Sequence, residues 1–461
     1  MDADVVVLGA GPAGLGAAWR AARAGHRVVV LERSSVPGGA AGSFVVGGQR
    51  VDHGSHRLHP STDPAILKDL RVLLGGELQT RRRNGRIRLE GRWIGFPLRA
   101  GDLLRRLPAS FAVAAARDAA IAPLRRARDD SFSEVLRAGL GPTICDRFYL
   151  PYARKIWGVP PEQLSGEQAR RRVSAGSPAK LLRRIVEAAR SRGQTFYYPA
   201  GGFGRIAERL AAAAAEAGAE LRYGDAVQGL SLHADQVRVT TADGGVVTAD
   251  RAWSTLPLPV LARMAVPAPP PGVLTAAGAL RFRSLLLVYL VLDDDRYTPY
   301  DAHYLPEATT PVSRVSEPKN YRDGDDPPGR TVLCAEVPCD QGDDLWSSDD
   351  AGVGRLVGAG LRAVGLPEVR PVEVVVRRLS SAYPVYLRGF ERQLTALEAW
   401  AASQPRLLTF GRQGLFAHDN THHALAMAWA AADALRPGGG GFDEAAWTAA
   451  RERFRGHVVE D

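Results

Sequence analysis

VVVLGAGPAGLGAAWRAARAGHRVVVLER, residues Val5 to Arg33, decides how the chain is read. Four apolar residues, Val5 to Leu8, run into Gly9, Gly11 and Gly14 with the spacing G-x-G-x-x-G. The stretch predicts a strand, a glycine turn, a helix and a second strand. Gly9 permits the tight turn, Gly11 lets a phosphate reach the backbone, and Gly14 lets the helix lie close to the strand. The helix then offers unpaired amides at its N-terminus to a pyrophosphate. Pro12 and Ala13 open that helix and join the predicted cofactor-binding set. Val28 to Leu31 reads as the second strand. Glu32 ends it, with Arg33 beside it, where a carboxylate accepts a pair of ribose hydroxyls. Its charge disfavours a 2′-phosphate, and hence NADP. FAD and NAD are not separated by these residues alone.

The rest of the composition bounds the answer. A chain of 461 residues is long for one core, so two intertwined domains are expected. Apolar residues make up 45%, enough for a large core. No run of about 20 apolar residues suggests a membrane span. No basic segment precedes an export-like apolar run. A cytoplasmic protein is expected, with peripheral membrane contact left open. The formal charge of +9 is carried almost wholly by arginine. Those arginines are spread along the chain, and no nucleic-acid motif accompanies them, so no nucleic-acid partner is expected. Arginine also suits anionic small molecules, because its fork pairs with phosphate or carboxylate. Three cysteines, Cys145, Cys334 and Cys339, suggest neither a disulfide framework nor a zinc site, and read as buried thiols.

After Glu32 comes RSSVPGGAAGSF, in which Gly38, Gly39 and Gly42 make a second backbone-exposed loop with Ala40 inside it. This extended E-x-x-x-x-x-G-G-x-x-x-S/T pattern resembles that of flavin amine oxidases, protoporphyrinogen oxidases, phytoene desaturases and UDP-galactopyranose mutases. The resemblance implies FAD, held noncovalently, with Gly38 and Gly39 continuing its site. It implies an α/β fold, α+β overall: a Rossmann-type FAD-binding domain interleaved with a mixed-sheet substrate domain and a helical insert. LLTFGRQGLFAHDNTHHALAMAWAAADAL resembles the closing FAD motif of the same superfamily, which brings Gly411, Arg412 and Asn420 to the cofactor. Asp419 is expected near ribityl or pyrophosphate, and His422 and His423 to solvate or cap locally. Val227 matches the position whose backbone meets the adenine.

Other segments resemble the mutases. VDHGSHRLHP is similar to their loop beside the flavin, which puts Gly54, Ser55 and His56 in the cofactor set and makes His56 the flavin-side candidate. A metal reading of His53, His56 and His59 is set aside; no metal site is predicted. VSRVSEPKN supplies Arg314, Glu317, Lys319 and Asn320, either as a substrate segment or as a salt-bridged edge loop. AYPVY supplies Tyr383 and Tyr386 for substrate or flavin contact. His56, Arg314 and Tyr383 are the catalytic candidates. Among the four lysines, only Lys319 lies in a segment expected to reach the site, and no lysine-bearing strand of the amine-oxidase kind is matched.

The expected organisation is FAD-binding residues 1–100 with the start of the substrate region, a mainly helical insert at 101–195, and FAD-binding residues 196–265. A substrate domain follows at 266–400, the closing FAD motif at 401–440 and a tail or helix at 441–461. GRIRLEGRWIGFPL reads as a hairpin. Tyr149, Tyr152 and Trp157 in the insert could wall a cavity or form a core. Val237–Thr241, Val246–Ala249 and Ala252–Leu256 read as three short strands. The chain is expected to be an FAD oxidoreductase transferring hydride from a small molecule to flavin N5, in the manner of amine oxidases and desaturases. The alternative is a flavin mutase or isomerase acting on a nucleotide sugar or other sugar-containing substrate. The substrate is expected to be anionic or sugar-containing, and a homodimer is left open.

Overall fold

Ala3–Leu8 is an almost wholly buried strand because both its faces are apolar, as befits a parallel strand covered on both sides. A computed structural model describes residues 2–96, 105–172, 195–436 and 441–459. Leu98, Lys180 and the predicted helical run over 173–194 lie outside the described residues.

Eight strands form the first sheet. Ala3–Leu8 sits between Val28–Glu32 and Val246–Ser254, parallel to both, and Glu220–Tyr223 extends the sheet beyond Val28–Glu32. Val227–Leu232 and Val237–Thr241 continue it antiparallel on the other side. Leu407–Thr409 pairs in parallel with the second half of Val246–Ser254. The separate strand expected over Ala252–Leu256 is therefore not formed: Val246–Ser254 is continuous. The polar pair Asp250–Arg251 suggested a break, but Arg406 neutralises Asp250 and Arg251 lies over the Phe442 ring at 4.9 Å.

The second sheet has seven strands, in the order Glu373–Val385, Arg281–Leu292, Thr331–Cys339, Arg314–Ser316, Ala302–Tyr304, Gly85–Leu89 and Arg92–Phe96. The last two are the predicted hairpin, turning at Glu90 and Gly91, both with positive φ. Arg314–Ser316 lies between two other strands, so the edge-loop reading of this segment is corrected.

The two sheets are joined by elements that cross between them. The Pro-rich stretch 266–270 leads into the helix Pro271–Ala279, which packs with Phe390–Ser403 under the first sheet before Arg281–Leu292 enters the second. The helical insert has its own small core of Phe132, Leu136, Ile156 and Trp157. All three cysteines are free and buried; burial pushes the Cys145 and Cys339 thiols up to about 12. Among the described residues no helix is long and apolar enough to cross a membrane.

Candidate active site and cofactor cradle

Three backbone loops meet at the N-terminus of the opening helix, Pro12–Arg23. Gly9 turns the chain with φ +105°, and a Cβ at Gly14 would collide with the Gly9 carbonyl, so only glycine lets helix and strand lie this close. The second loop is tied to the first by Gly38 N–H donating to Ala10 O at 2.8 Å, and Gly39 faces Gly11. The third arrives from Leu407–Thr409: Gly411, with φ +79°, stands so that a Cβ would lie 3.1 Å from that of Ala13. Gly11 caps the helix without any side chain, and a Cβ there would meet only the Gly38 carbonyl at 3.9 Å. Open space in front of unpaired helix amides is what a pyrophosphate requires.

Glu32 is buried and accepts the amides of Ala10 at 2.8 Å and Ser34 at 2.9 Å. It thus fastens the glycine turn as well as facing the ribose position. Its own carbonyl accepts the Asp225 amide at 2.9 Å, which brings Val227 to the same end. Asp225 Oδ1 there is buried without a hydrogen-bond partner. The residues fit an FAD whose adenosine lies at Glu32 and Val227 and whose pyrophosphate faces Gly11. Pro12 and Ala13 are in place in the helix's first turn; Arg33 and Ala40 are exposed.

A second group of side chains lies where the second sheet meets the insert. Arg314 donates Nε and Nη2 to Glu336 Oε1 at 3.0 and 2.6 Å. Burial works against the Arg314 charge, but Glu336 outweighs it and holds the guanidinium well above its ordinary value. The same Oε1 accepts the Ser55 amide at 3.1 Å, which ties the Gly54–Ser55–His56 loop to the strand. Tyr304 lies under the Arg314 guanidinium at 5.7 Å. Tyr152, from the helix Leu150–Trp157, faces Arg314, Tyr304, Glu336 and Tyr383. Burial raises both Tyr152 and Tyr383, which therefore remain neutral phenols at ordinary pH. Arg172 and Arg412 hold their guanidinium groups 5.9 and 5.4 Å from the Tyr383 ring.

The structure thus brings Arg314, Tyr383 and Tyr152 together. His56 stacks on Phe203 at 5.2 Å and shares a hydrogen between Nε2 and the His53 carbonyl at 2.9 Å. That contact makes Nε2 the protonated nitrogen, and burial lowers the ring's pKa, so it is a neutral imidazole. Arg412 turns from the glycine loop toward Tyr383 and donates to Ala382 O at 3.0 Å.

Several expectations are corrected. Tyr386 is buried, stacks on Phe390 at 4.0 Å and donates its hydroxyl to Phe416 O at 2.8 Å, so it serves the core. Lys319 is held by Asp295 Oδ1, Pro327 O and Arg330 O at 2.9–3.1 Å, away from Arg314. Asn320 donates to the carbonyls of Thr298 and Tyr300, both at 2.8 Å, as a loop brace. Trp157 belongs to the insert's core. His422 and His423 are buried rather than solvated, and His423 with Asn420 forms a capping box on the helix Thr421–Asp433. His53, His56 and His59 diverge onto Phe44, Phe203 and His422.

Sequence reasoning missed Glu336, Tyr304 and Arg57. The signal for Glu336 was a lone carboxylate inside the apolar strand TVLCAEVPC. Arg57 lies between the rings of Phe196 and Tyr321, at 5.1 and 4.8 Å, and pairs with Asp301 at 3.1 Å.

The doubly wound sheet, glycine cradle and separate mixed sheet define an FAD-binding enzyme of the flavin oxidoreductase class. The chain belongs to the flavin containing amine oxidoreductase family, whose profile matches residues 12–435. It is 29% identical over 307 residues to a phytoene dehydrogenase of Streptomyces griseus, covering 56% of this chain and 55% of that protein. It is 30% identical over 287 residues to a Mycobacterium tuberculosis protein assigned as a flavin-containing monoamine oxidase, covering 58% of this chain and 59% of the other. The matches thus span little more than half of these curated relatives. A reduced UDP-galactopyranose mutase shares the fold over 99% of this chain and 100% of its own, with a TM-score of 0.80 and 23% identity. A protein from Exiguobacterium assigned as a protoporphyrinogen oxidase follows at TM-score 0.70 and 20% identity, covering 97% and 98%.

Proposed function

We propose that the protein is an FAD enzyme that rearranges an anionic, sugar-containing small molecule without net oxidation, with Arg314 holding the substrate. The observation that carries this reading is the Arg314–Glu336 pair among Tyr152, Tyr304 and Tyr383. Glu336 engages Nε and Nη2 of Arg314 and leaves Nη1 as the nitrogen for a ligand oxygen. Neutral phenols at Tyr152 and Tyr383 donate to hydroxyl-rich or phosphate groups. Arg172 and Arg412 add positive potential behind Tyr383, which suits a diphosphate. Bound FAD would supply N5, which accepts hydride when oxidised and acts as a nucleophile when reduced. His56, neutral and fixed through Nε2, presents Nδ1 as an acceptor on the flavin side. The shared fold of a UDP-galactopyranose mutase over nearly the whole chain supports a nucleotide sugar as the substrate class.

The second reading is net oxidation of an amine or a carbon–carbon bond, favoured by the family match and the two curated relatives. Anaerobic incubation separates the two. With the flavin reduced beforehand by dithionite, a nucleotide sugar should give an isomer of equal mass and leave the flavin reduced. No isomer under those conditions, with stoichiometric flavin reduction by an amine or polyene instead, would overturn the first reading.

A further inference from the structure

Outside this site, Asp419, His423 and His457 converge from three places: the closing loop, the first turn of the closing helix Thr421–Asp433, and the C-terminal segment. The Asp419 side chain is 2% exposed, and neither carboxylate oxygen has a hydrogen-bond partner. Burying a carboxylate is costly unless a cation offsets it, and here the offset is either the two neighbouring imidazoles in their protonated form or a bound ion. Oδ1 faces His423 Nδ1 at 3.4 Å and His457 Nδ1 at 3.3 Å. The two rings stack at 4.1 Å and 14° with each Nδ1 beside Oδ1, so one ring must turn for both in-plane lone pairs to meet one ion. The three ligand atoms lie within 4.8 Å of one another.

The distances discriminate between two ways of satisfying the carboxylate. Charge-assisted N–H···O bonds run at about 2.7–2.9 Å. Ligands at about 2.0–2.1 Å from a tetrahedral zinc stand about 3.3 Å apart, which is how far each Nδ1 stands from Oδ1. We propose that Asp419, His423 and His457 bind one divalent ion of the zinc class and so clamp the C-terminal segment to the closing helix of the FAD domain. Two imidazole nitrogens and one carboxylate oxygen leave a fourth position for water. The surrounding charges permit it. Arg171, which donates to His457 O at 3.1 Å, is paired with Glu167 at 2.6 Å, and Arg172 and Arg412 point to Tyr383. The Asn420 amide also donates to His423 Nδ1, at 3.2 Å. One lone pair serves the amide or the ion, so metal binding exchanges this cap for the clamp.

The test uses the full-length, FAD-loaded protein, stripped with a chelator and titrated with Co2+. One ion per chain is expected, with the visible bands of four-coordinate Co2+, displacement by Zn2+ and a rise in Tm. His457→Ala should lose the bands and the rise while keeping its flavin absorbance, because His457 lies in the C-terminal segment, away from the glycine cradle. Asp419→Asn, nearly the same in shape, should lose the bands and the rise as well. Absence of saturable binding overturns the proposal, as does binding that survives both substitutions. So does a wild-type protein stabilised only by acidification, which would mean protonated histidines satisfy the carboxylate instead.

Discussion

Glu336 lies in the strand Thr331–Cys339, where every residue is buried, and its carboxylate is tolerable there because Arg314 sits directly across in register. Removing one member of such a pair leaves the other buried and uncompensated. Glu336→Gln keeps the shape, discards the charge and should cost about 3 kcal/mol in denaturant unfolding. Flavin content is read separately, because Glu336 also fastens the Gly54–Ser55–His56 loop through the Ser55 amide. An unaltered unfolding midpoint would show that water already satisfies Arg314. His53 sets a pH dependence of the same sign as a paired carboxylate's. Burial lowers it from 6.5 to about 4, so the folded state is neutral where the unfolded chain takes a proton. Between those values the unfolded state binds more protons, and stability falls as the pH drops from 6.5 toward 4, levelling off below. Tm measured across that range should show a shallower fall for His53→Gln. Residue chemistry of this sort was partly legible: Arg314 and Tyr383 could be singled out because VSRVSEPKN and AYPVY resemble segments of the mutases. Glu336 could not, because its meaning depends on a partner strand 22 positions away in sequence.

At the scale of elements, the opening and closing helices meet through small residues. Gly16 lies against Trp429, and a Cβ there would come within 2.7 Å of the indole and 3.3 Å of the Ala428 methyl. Trp429 is held from its other sides by Trp19 at 5.8 Å, Arg20 at 5.3 Å and a hydrogen bond from its indole N–H to Asp69 at 3.0 Å. It cannot step aside cheaply. In an open helix Gly→Ala gains up to about 1 kcal/mol; here overpacking should outweigh that, so Gly16→Ala should destabilise by about 1–2 kcal/mol. A gain in the urea midpoint would mean the helices separate freely. The strands of the first sheet and the Gly85–Phe96 hairpin were legible because alternation and turn residues are local. What alternation also predicted, had it been applied, is the fate of Tyr386. It lies an odd number of positions from Tyr383, just past the end of the strand Glu373–Val385, and the two phenols leave on different sides. Lys319 and Asn320 were misassigned for a related reason: after Arg314–Ser316 the chain turns through Pro318–Asn320, and their side chains fold back on carbonyls of neighbouring loops.

Over the whole molecule, the cofactor cradle is made from two stretches far apart in the chain, and the described residues between them build the rest of the first sheet, the second sheet and the insert. Residue motifs in each stretch could be recognised separately; that Gly411 would stand against Ala13 follows only from Leu407–Thr409 pairing beside Val246–Ser254, which itself pairs with Ala3–Leu8. A ligand that touches both stretches stabilises the closure of the entire first sheet. Bound at 100 times its dissociation constant, FAD should add about 2.7 kcal/mol to unfolding. Gly411→Val tests this coupling. Its φ of +79° strains a β-branched residue, and its Cβ would press toward Ala13 into the cradle. The variant should purify with little flavin, keep the far-ultraviolet dichroism of the parent, and melt below the parent's flavin-free form by the strain the valine adds. Added FAD should raise the Tm of the parent apoprotein and leave that of the variant where it is. Stoichiometric flavin in Gly411→Val would separate the closing loop from the cofactor and leave the opening glycines to hold it alone.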